Sequence, residues 1–282
     1  MKACVGDVEI GLGAPLALIA GLNVIENEAL TLETAAEIER IAKRAGIPAI
    51  FKASFDKANR TRFDAYRGPG LAEGLRILSL VRSQTGLPVL TDVHEPGQAQ
   101  DAAKTVDCLQ IPAMLCRQTD LVQACAETGR PINFKKGQFI APADMAHAVD
   151  KARAFGAKDV FVTERGTQFG HQNLVVDMRG LLEMRAFAPI CFDATHSVQT
   201  PGTAGGASGG DRGMVAPLAR AAAGLGIDAL FVEVHPHPEE APVDGPCQIT
   251  PKALEILLEE VTTIDGALRA IRPGDQESGG TG

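Results

Sequence analysis

The chain of 282 residues has no tryptophan, one tyrosine, and aromatics at only 4 %. Base-stacking surfaces of basic residues interleaved with rings are therefore missing. With a formal net charge of -8, this argues against nucleic acid as the main partner. Apolar residues still make up 45 %, so a sizeable core has to be built from Ala, Val, Ile and Leu. The six cysteines (Cys4, Cys108, Cys116, Cys125, Cys191 and Cys247) include no CxxC pair and no compact disulfide framework. They read as buried free thiols of a reducing cytosol. No apolar run approaches the length of a membrane span, and MKACVGDVEI lacks the apolar core of a signal peptide, so no membrane contact and a cytoplasmic location are expected. No G-x-x-x-x-G-K-[ST] phosphate loop occurs.

What is present is an alternation. Eight short β-type runs end in polar or glycine-rich residues: LALIAGLN (16–23), AIFKAS (49–54), PVLTDVH (88–94), CLQIPA (108–113), PINFKK (131–136), VFVTERG (160–166), PICFDATH (189–196) and ALFVEVHP (229–236). Between them, ETAAEIERIAKRAG (33–46), LAEGLRILSLVRSQTG (71–86), TDLVQACAETG (119–129) and ADMAHAVDKARAFG (143–156) carry helical stripes that stop at glycine. This order predicts an α/β fold with a parallel sheet, and eight strands favour a closed (β/α)8 TIM barrel over an open sheet. Residues 1–12 predict a short β hairpin covering the barrel's bottom. A single barrel domain is expected over 1–272, followed by a disordered polar tail at 273–282.

Each run carries chemistry at its C-terminal end: Asn23, Lys52, Asp92, Gln110, Lys135, Arg165, His196 and Glu233. In a barrel these ends converge on one mouth. Lys52, Lys57, Arg60, Lys135, Lys136 and Arg165 would then meet in one cavity; each lysine alone reads first as a solvated surface charge, and only the set together at strand ends favours the cavity. Burying so many like charges costs several kcal/mol unless anions are present. The expected ligand therefore carries phosphates and a carboxylate, for which arginine supplies bidentate contacts. Glu164-Arg165 reads either as an internal ion pair or as a free clamp for that anion. His196, Glu233, His235 and Asp244 read either as a hydrogen-bonded structural set or as ligands for a divalent ion. The glycine-rich THSVQTPGTAGGASGGDR (195–212) is a flexible linker or a lid that closes on substrate.

FKASFDKANRT, TDVHEP, LQIPAMLCRQTDL, KKGQF, ERGTQFGHQNLVVDMR, DATHSVQTPG and VEVHPHPEEAPVDGP together resemble the 3-deoxy-D-manno-octulosonate 8-phosphate synthase family, in the family's order. The resemblance implies condensation of phosphoenolpyruvate with D-arabinose 5-phosphate and water, with release of phosphate, on the route to the lipopolysaccharide sugar Kdo. It also implies a homotetramer in which a neighbouring subunit completes the pentose phosphate site. Carried over by motif, Lys52, Ser54, Lys57, Gln110, Lys135 and Arg165 hold phosphoenolpyruvate. Asn59, Arg60 and Thr61 hold the pentose phosphate, with Gln138 and His196 also at the substrates. Thr61 stands where many members have serine, and keeps the hydroxyl.

The resemblance places Asp92 and His196 along the reacting carbons; in a metal-free mechanism Lys57 is the candidate for the aldehyde oxygen, and Asn23, His196 and Asp244 would position the water or relay protons. The family's metal-dependent branch has a cysteine where this chain has Asn23, while His196, Glu233 and Asp244 match the other three ligand positions. Replacing a thiolate by an amide weakens a transition-metal site, so an enzyme without metal or other cofactor is expected. A divalent ion on His196, Glu233 and Asp244 is the alternative, with Cys247 the one cysteine near enough in sequence to serve as a substitute ligand. The rival activities are a 3-deoxy-arabino-heptulosonate 7-phosphate synthase, a Schiff-base aldolase and a non-catalytic sugar-phosphate-binding barrel. Arg62 has no assigned role.

Overall fold

The computed structural model describes residues 1–168, 173–204 and 207–271; the tail expected at 273–282 lies outside the described residues. The predicted alternation is realised. Strands β3 (Ala17–Gly21), β4 (Ala49–Lys52), β5 (Val89–Asp92), β6 (Cys108–Ile111), β7 (Ile132–Lys135), β8 (Val160–Glu164), β9 (Ile190–Asp193) and β12 (Ala229–Glu233) form a closed barrel in chain order. All neighbouring pairs are parallel, and β12 closes onto β3 with Phe231 opposite Ile19. The crossovers are α1 (Glu28–Ala45), α2 (Leu71–Thr85), α3 (Pro96–Ala103), α4 (Thr119–Ala126), α5 (Met145–Ala154), α6 (Met178–Arg185) and α7 (Val215–Leu225), with α8 (Pro251–Ile271) after the last strand.

Helix α1 starts at Glu28, earlier than its apolar stripe suggests, because the Asn27 side chain accepts the Leu30 N–H and caps the first turn. It stops where the sequence places the stop. Gly46 takes the left-handed conformation at φ 66° and its N–H closes back on the carbonyls of Ala42 and Lys43.

Two separate apolar layers result from the strict side-chain alternation of the strands. One set packs outward under the helices, for example Leu18, Phe51, Leu109, Phe134 and Leu230. The other fills the barrel interior with Ile19, Ile50, Leu90, Cys108, Phe161, Cys191 and Phe231. The hairpin of β1 (Lys2–Val5) and β2 (Val8–Gly11) adds Ala3, Val5, Val8 and Ile10 to this interior cluster and so plugs the bottom.

Two residues further along the same inward face, the apolar series becomes polar: Ile50 leads to Lys52, Leu90 to Asp92, Cys108 to Gln110, Cys191 to Asp193 and Phe231 to Glu233. The strand period thus aims this set at the C-terminal mouth, the face on which barrel enzymes carry their chemistry.

The glycine-rich segment at 195–212 is neither a plain linker nor an open loop in its described part. A 3-10 turn (His196–Val198) leads into β10 (Gln199–Ala204), which pairs antiparallel with β11 (Ala207–Gly210). Gly210 is held close: a Cβ there would lie 2.1 Å from Cys247 Sγ.

Candidate active site

A cavity of about 330 Å³ opens at the barrel mouth, walled by Lys52, Lys57, Asp92, Gln110, Lys135, Asp193 and His196 among others. A second compartment of about 170 Å³ adjoins it, lined by Arg60, Thr61, Gln138, Gln199 and Asp244. Lys57, Asn59, Arg165 and His196 line both. The two spaces thus share walls, which is the arrangement needed to bring two small molecules into contact.

The cations divide into two classes. Lys52 and Lys135 are buried at the ends of β4 and β7 and already have fixed counter-ions. Lys52 Nζ lies 3.2 Å from Glu233 Oε1 and 4.0 Å from Asp92 Oδ1. Lys135 is ion-paired to Asp193, and its ammonium sits 3.3 Å above the centroid of the Phe231 ring. Burial works against the charge of Lys52, but Glu233 and Asp92 outweigh it and raise its pKa; for Lys135 burial prevails and the shift is downward. The expectation that every strand-end cation waits for a ligand therefore holds only for the outer set.

In that outer set, Arg165 donates to Gln199 Oε1 at 2.5 Å while its Nη1 is buried and unpartnered. Arg60 donates to the Pro242 carbonyl at 3.3 Å and its Nε is buried and unpartnered. Lys57 is half-buried on the wall shared by both compartments, and burial together with the charge of Lys52 lowers its pKa to about 8.

The carboxylates are organised around His196. Asp193 is fully buried and accepts from His196 Nδ1 at 2.7 Å, as well as from the backbone N–H groups of Thr195 and His196. His196 Nε2 lies 3.4 Å from Glu233 Oε2 and 3.9 Å from Asp244 Oδ2. Burial would raise the pKa of Asp92, Asp193 and Glu233, but the surrounding lysines and histidines overcome it and hold all three below the usual carboxylate range.

Asn23 completes this corner. Its Nδ2 donates to Glu233 Oε2 and, at 3.2 Å, to Asp244 Oδ2, leaving Oδ1 buried and unpartnered. Asp244 is held in the left-handed region at φ 50°, the only described non-glycine residue with positive φ. Such strain at a carboxylate beside the cavity is characteristic of functional positions.

Several residues lie elsewhere than the sequence suggests. Ser54 does not line the cavity: it is fully buried, accepts from Lys52 Nζ at 3.0 Å, donates to Asp92 Oδ1, and so holds those two groups from behind. Lys136, counted with the cavity cations, points the other way. It is fully buried with its ammonium 3.1 Å from Gly137 O and Thr167 Oγ1 and 3.6 Å from Glu164 Oε1. His235 is a buried structural residue hydrogen-bonded to Glu26 Oε1 at 2.9 Å. The Cys247 thiol faces Gly209 O at 3.7 Å under the β10–β11 hairpin, and burial with Asp244 nearby pushes its pKa up, so it makes a poor ligand. Cys4 is exposed, unlike the other five thiols. Arg62 pairs with Asp64 on the surface.

The sequence reading missed Gln199, the partner of Arg165, and two residues of the main cavity. Asp193 is one of these, although it lies within the run PICFDATH, at the end of β9 and three residues before His196. His94 is the other: it lines the main cavity, its Nε2 is 3.0 Å from Asp92 Oδ2, and its Nδ1 is buried and unpartnered. The inward parity that selects Asp92 also selects His94, two residues on.

Residues 2–268 match the DAHP synthetase I family. The chain is 52 % identical over 275 residues to the 2-dehydro-3-deoxyphosphooctonate aldolase of Syntrophotalea carbinolica, covering 97 % of this chain and 98 % of that protein. It is 52 % identical to the protein of that name from Desulfatibacillum aliphaticivorans, covering 92 % and 95 % of the two chains. For the namesake from Methylococcus capsulatus the identity is 53 %, with 93 % of each chain covered. The chain therefore belongs to the DAHP synthetase I family, within its group of 2-dehydro-3-deoxyphosphooctonate aldolases.

Proposed function

We propose that this enzyme condenses phosphoenolpyruvate with D-arabinose 5-phosphate and water to give 3-deoxy-D-manno-octulosonate 8-phosphate and inorganic phosphate, a transferase step of Kdo formation. The observation that carries the reading is the pair of adjoining compartments sharing Lys57 and Arg165, cations with no carboxylate ion pair among the described residues, in a chain over half identical to proteins named for this product. Lys52, Lys57, Gln110, Lys135 and Arg165 hold phosphoenolpyruvate in the deeper space, with Ser54 setting Lys52. Asn59, Arg60, Thr61 and Gln138 hold the pentose phosphate in the outer one. Turnover of the two substrates, followed by phosphate release, tests this; consumption of erythrose 4-phosphate instead would favour a heptulosonate phosphate synthase. A covalent adduct trapped by borohydride would favour a Schiff-base aldolase.

In the reaction, C3 of phosphoenolpyruvate attacks the open-chain aldehyde carbon and positive charge develops at C2. Water adds at C2, and the tetrahedral intermediate loses phosphate by C–O cleavage. Lys57 donates a proton or hydrogen bond to the aldehyde oxygen, and a group with pKa of about 8 is suited to that task near neutrality. Asn23, Asp92, His196 and Asp244 orient the water and carry its protons. Holding both substrates in near-attack geometry supplies much of the acceleration, and the fixed cations supply much of the rest.

The donor set at Asn23 fits a divalent ion poorly. Its amide nitrogen points hydrogen at both Glu233 and Asp244, so it occupies as a donor the space between the carboxylates that a cation would need. An amide donor there satisfies the two acceptors without a metal, and we read the enzyme as metal-independent.

The exposed apolar side chains Phe63, Met114 and Phe139 on loops beyond the C-terminal strand ends support an interface between subunits at this face, and the family resemblance makes the assembly a homotetramer with shared sites. No helix among the described residues is long and apolar enough to cross a membrane. Five buried free thiols fit the reducing cytoplasm.

A further inference from the structure

Behind the cavity, β7 and β8 each end in a charged pair whose members face opposite ways. Lys135 and Arg165 face the mouth; Lys136 and Glu164 face each other at 3.6 Å and are nearly or fully buried. Glu164 precedes Arg165 directly, and an uncompensated carboxylate at that position would be the nearest fixed partner in sequence for the guanidinium. Instead, Glu164 Oε1 is taken up by the Arg165 and Gly166 backbone N–H groups at 2.9 and 2.6 Å and by Lys136. Among the described residues no carboxylate is ion-paired to Arg165, whose Nη1 is left without a partner.

Lys136 Nζ also lies within hydrogen-bond distance of Gly137 O, Thr167 Oγ1, Ile140 O and Gly166 O, at 3.1 to 3.5 Å. It therefore binds the loop after β7, which carries Gln138, to the loop after β8, which carries Arg165. Gln168 N donating to Gln138 O at 3.0 Å joins the same two loops. A buried ion pair contributes little net stability against well-packed apolar replacements, so a role in the site accounts better for its presence than a role in folding.

We propose that Lys136 is a positioning residue that neutralises Glu164 so that Arg165 stays free for the anionic substrate. This rests on the proposed function above. Lys136→Met leaves the Glu164 carboxylate beside Arg165 without its counter-ion, and Arg165 turns toward it. The guanidinium is then lost to the ligand, a charge-assisted contact whose removal raises KM for phosphoenolpyruvate about tenfold or more, with kcat changed much less. Glu164→Gln keeps the acceptor for the two backbone N–H groups but removes the charge.

The test compares the steady-state kinetics of the wild-type enzyme, Lys136→Met, Glu164→Gln, and the double variant, with thermal unfolding of each. The expected result is a raised KM in Lys136→Met, near-wild-type KM in Glu164→Gln, and recovery of KM in the double variant. If the double variant is as impaired as Lys136→Met, or if Lys136→Met keeps its KM, the proposal is overturned. Should Lys136→Met fail to fold, a folded double variant with wild-type KM supports the proposal and a folded one with raised KM overturns it. Wild-type enzyme inert toward both substrates would instead overturn the functional reading.

Discussion

At the scale of single residues, the site is a problem in charge placement. Lys57 and Arg165 are the cations on the shared wall without a carboxylate ion pair among the described residues, and the lowered Lys57 pKa of about 8 follows from burial and Lys52. If Lys57 acts in its protonated form, kcat/KM falls on the alkaline side near that value, and Lys57→Ala moves turnover down by about a hundredfold or more. A pH–rate profile of both proteins checks this, with circular dichroism to show that the variant is folded. Near-normal turnover would remove Lys57 from the chemistry.

Asp193 has the opposite character: it is buried and doubly charge-paired, to Lys135 and His196. Asp193→Asn leaves Lys135 buried without its counter-ion and is expected to cost about 3–5 kcal/mol of stability at neutral pH. Asp92, Asp193 and Glu233 share depressed pKa values, whereas in the unfolded chain they titrate near 4. The unfolded state therefore binds protons first as pH falls. The stability these groups contribute is present above about pH 4 and is lost below it as pH falls toward the folded pKa values. Urea denaturation from pH 7 down to pH 3 should show that loss, and a flat profile would contradict it.

At the scale of elements, the strand period did most of the positioning. Alternation along AIFKAS or PVLTDVH decides which side chains enter the barrel, and for that reason the strand ends could be read from the sequence with their chemistry. Facing is harder to read once the chain leaves the strand. Lys136 and Ser54 sit one step past or behind that alternation, and only the folded loops show which way they point. Helix α3 (PGQAQDAA) buries only alanines and α6 (MRGLLEMR) places a glycine on its buried face, so neither shows an apolar stripe, and α7 (VAPLARAAAGL) presents small apolar residues on both faces. Helix α8 does carry a stripe, Leu254, Leu257, Leu258 and Val261, from which it could have been read.

The β10–β11 hairpin was hidden because glycine-rich sequence has little strand propensity; pairing with its own return strand supplies the order. Gly210 is fixed there by Cys247, so Gly210→Ala is expected to lift the hairpin and its Gln199 contact with Arg165. Overpacking of this kind costs about 1–3 kcal/mol. A raised KM for the pentose phosphate is expected, and Gly210→Ala combined with Cys247→Ala should recover part of it. No recovery in the double variant would show that the Cys247 contact is not what seats the hairpin.

At the scale of the molecule, an acidic exterior and a cationic mouth are compatible because fixed carboxylates neutralise the deep cations and the substrates neutralise the outer ones. The sequence already held the list of groups; what it could not show was this division, since Lys52 and Glu233 pair across 181 residues of chain and Lys135 and Asp193 across 58. The proposed homotetramer, with the apolar rim at Phe63, Met114 and Phe139 as its interface, is tested on the same scale. Light scattering on the purified protein should give four times the 29.6 kDa chain mass, and a monomer would remove the shared-site arrangement.

In the proposed reaction, cations and Asn23, without a metal ion, bring phosphoenolpyruvate and arabinose 5-phosphate together. Its most direct test is phosphate release from the two substrates, measured with and without prolonged treatment with a strong chelator. Turnover is expected to be unchanged by the chelator and not increased by added divalent ions. Activity lost to the chelator and restored by a divalent ion would contradict a metal-independent reaction.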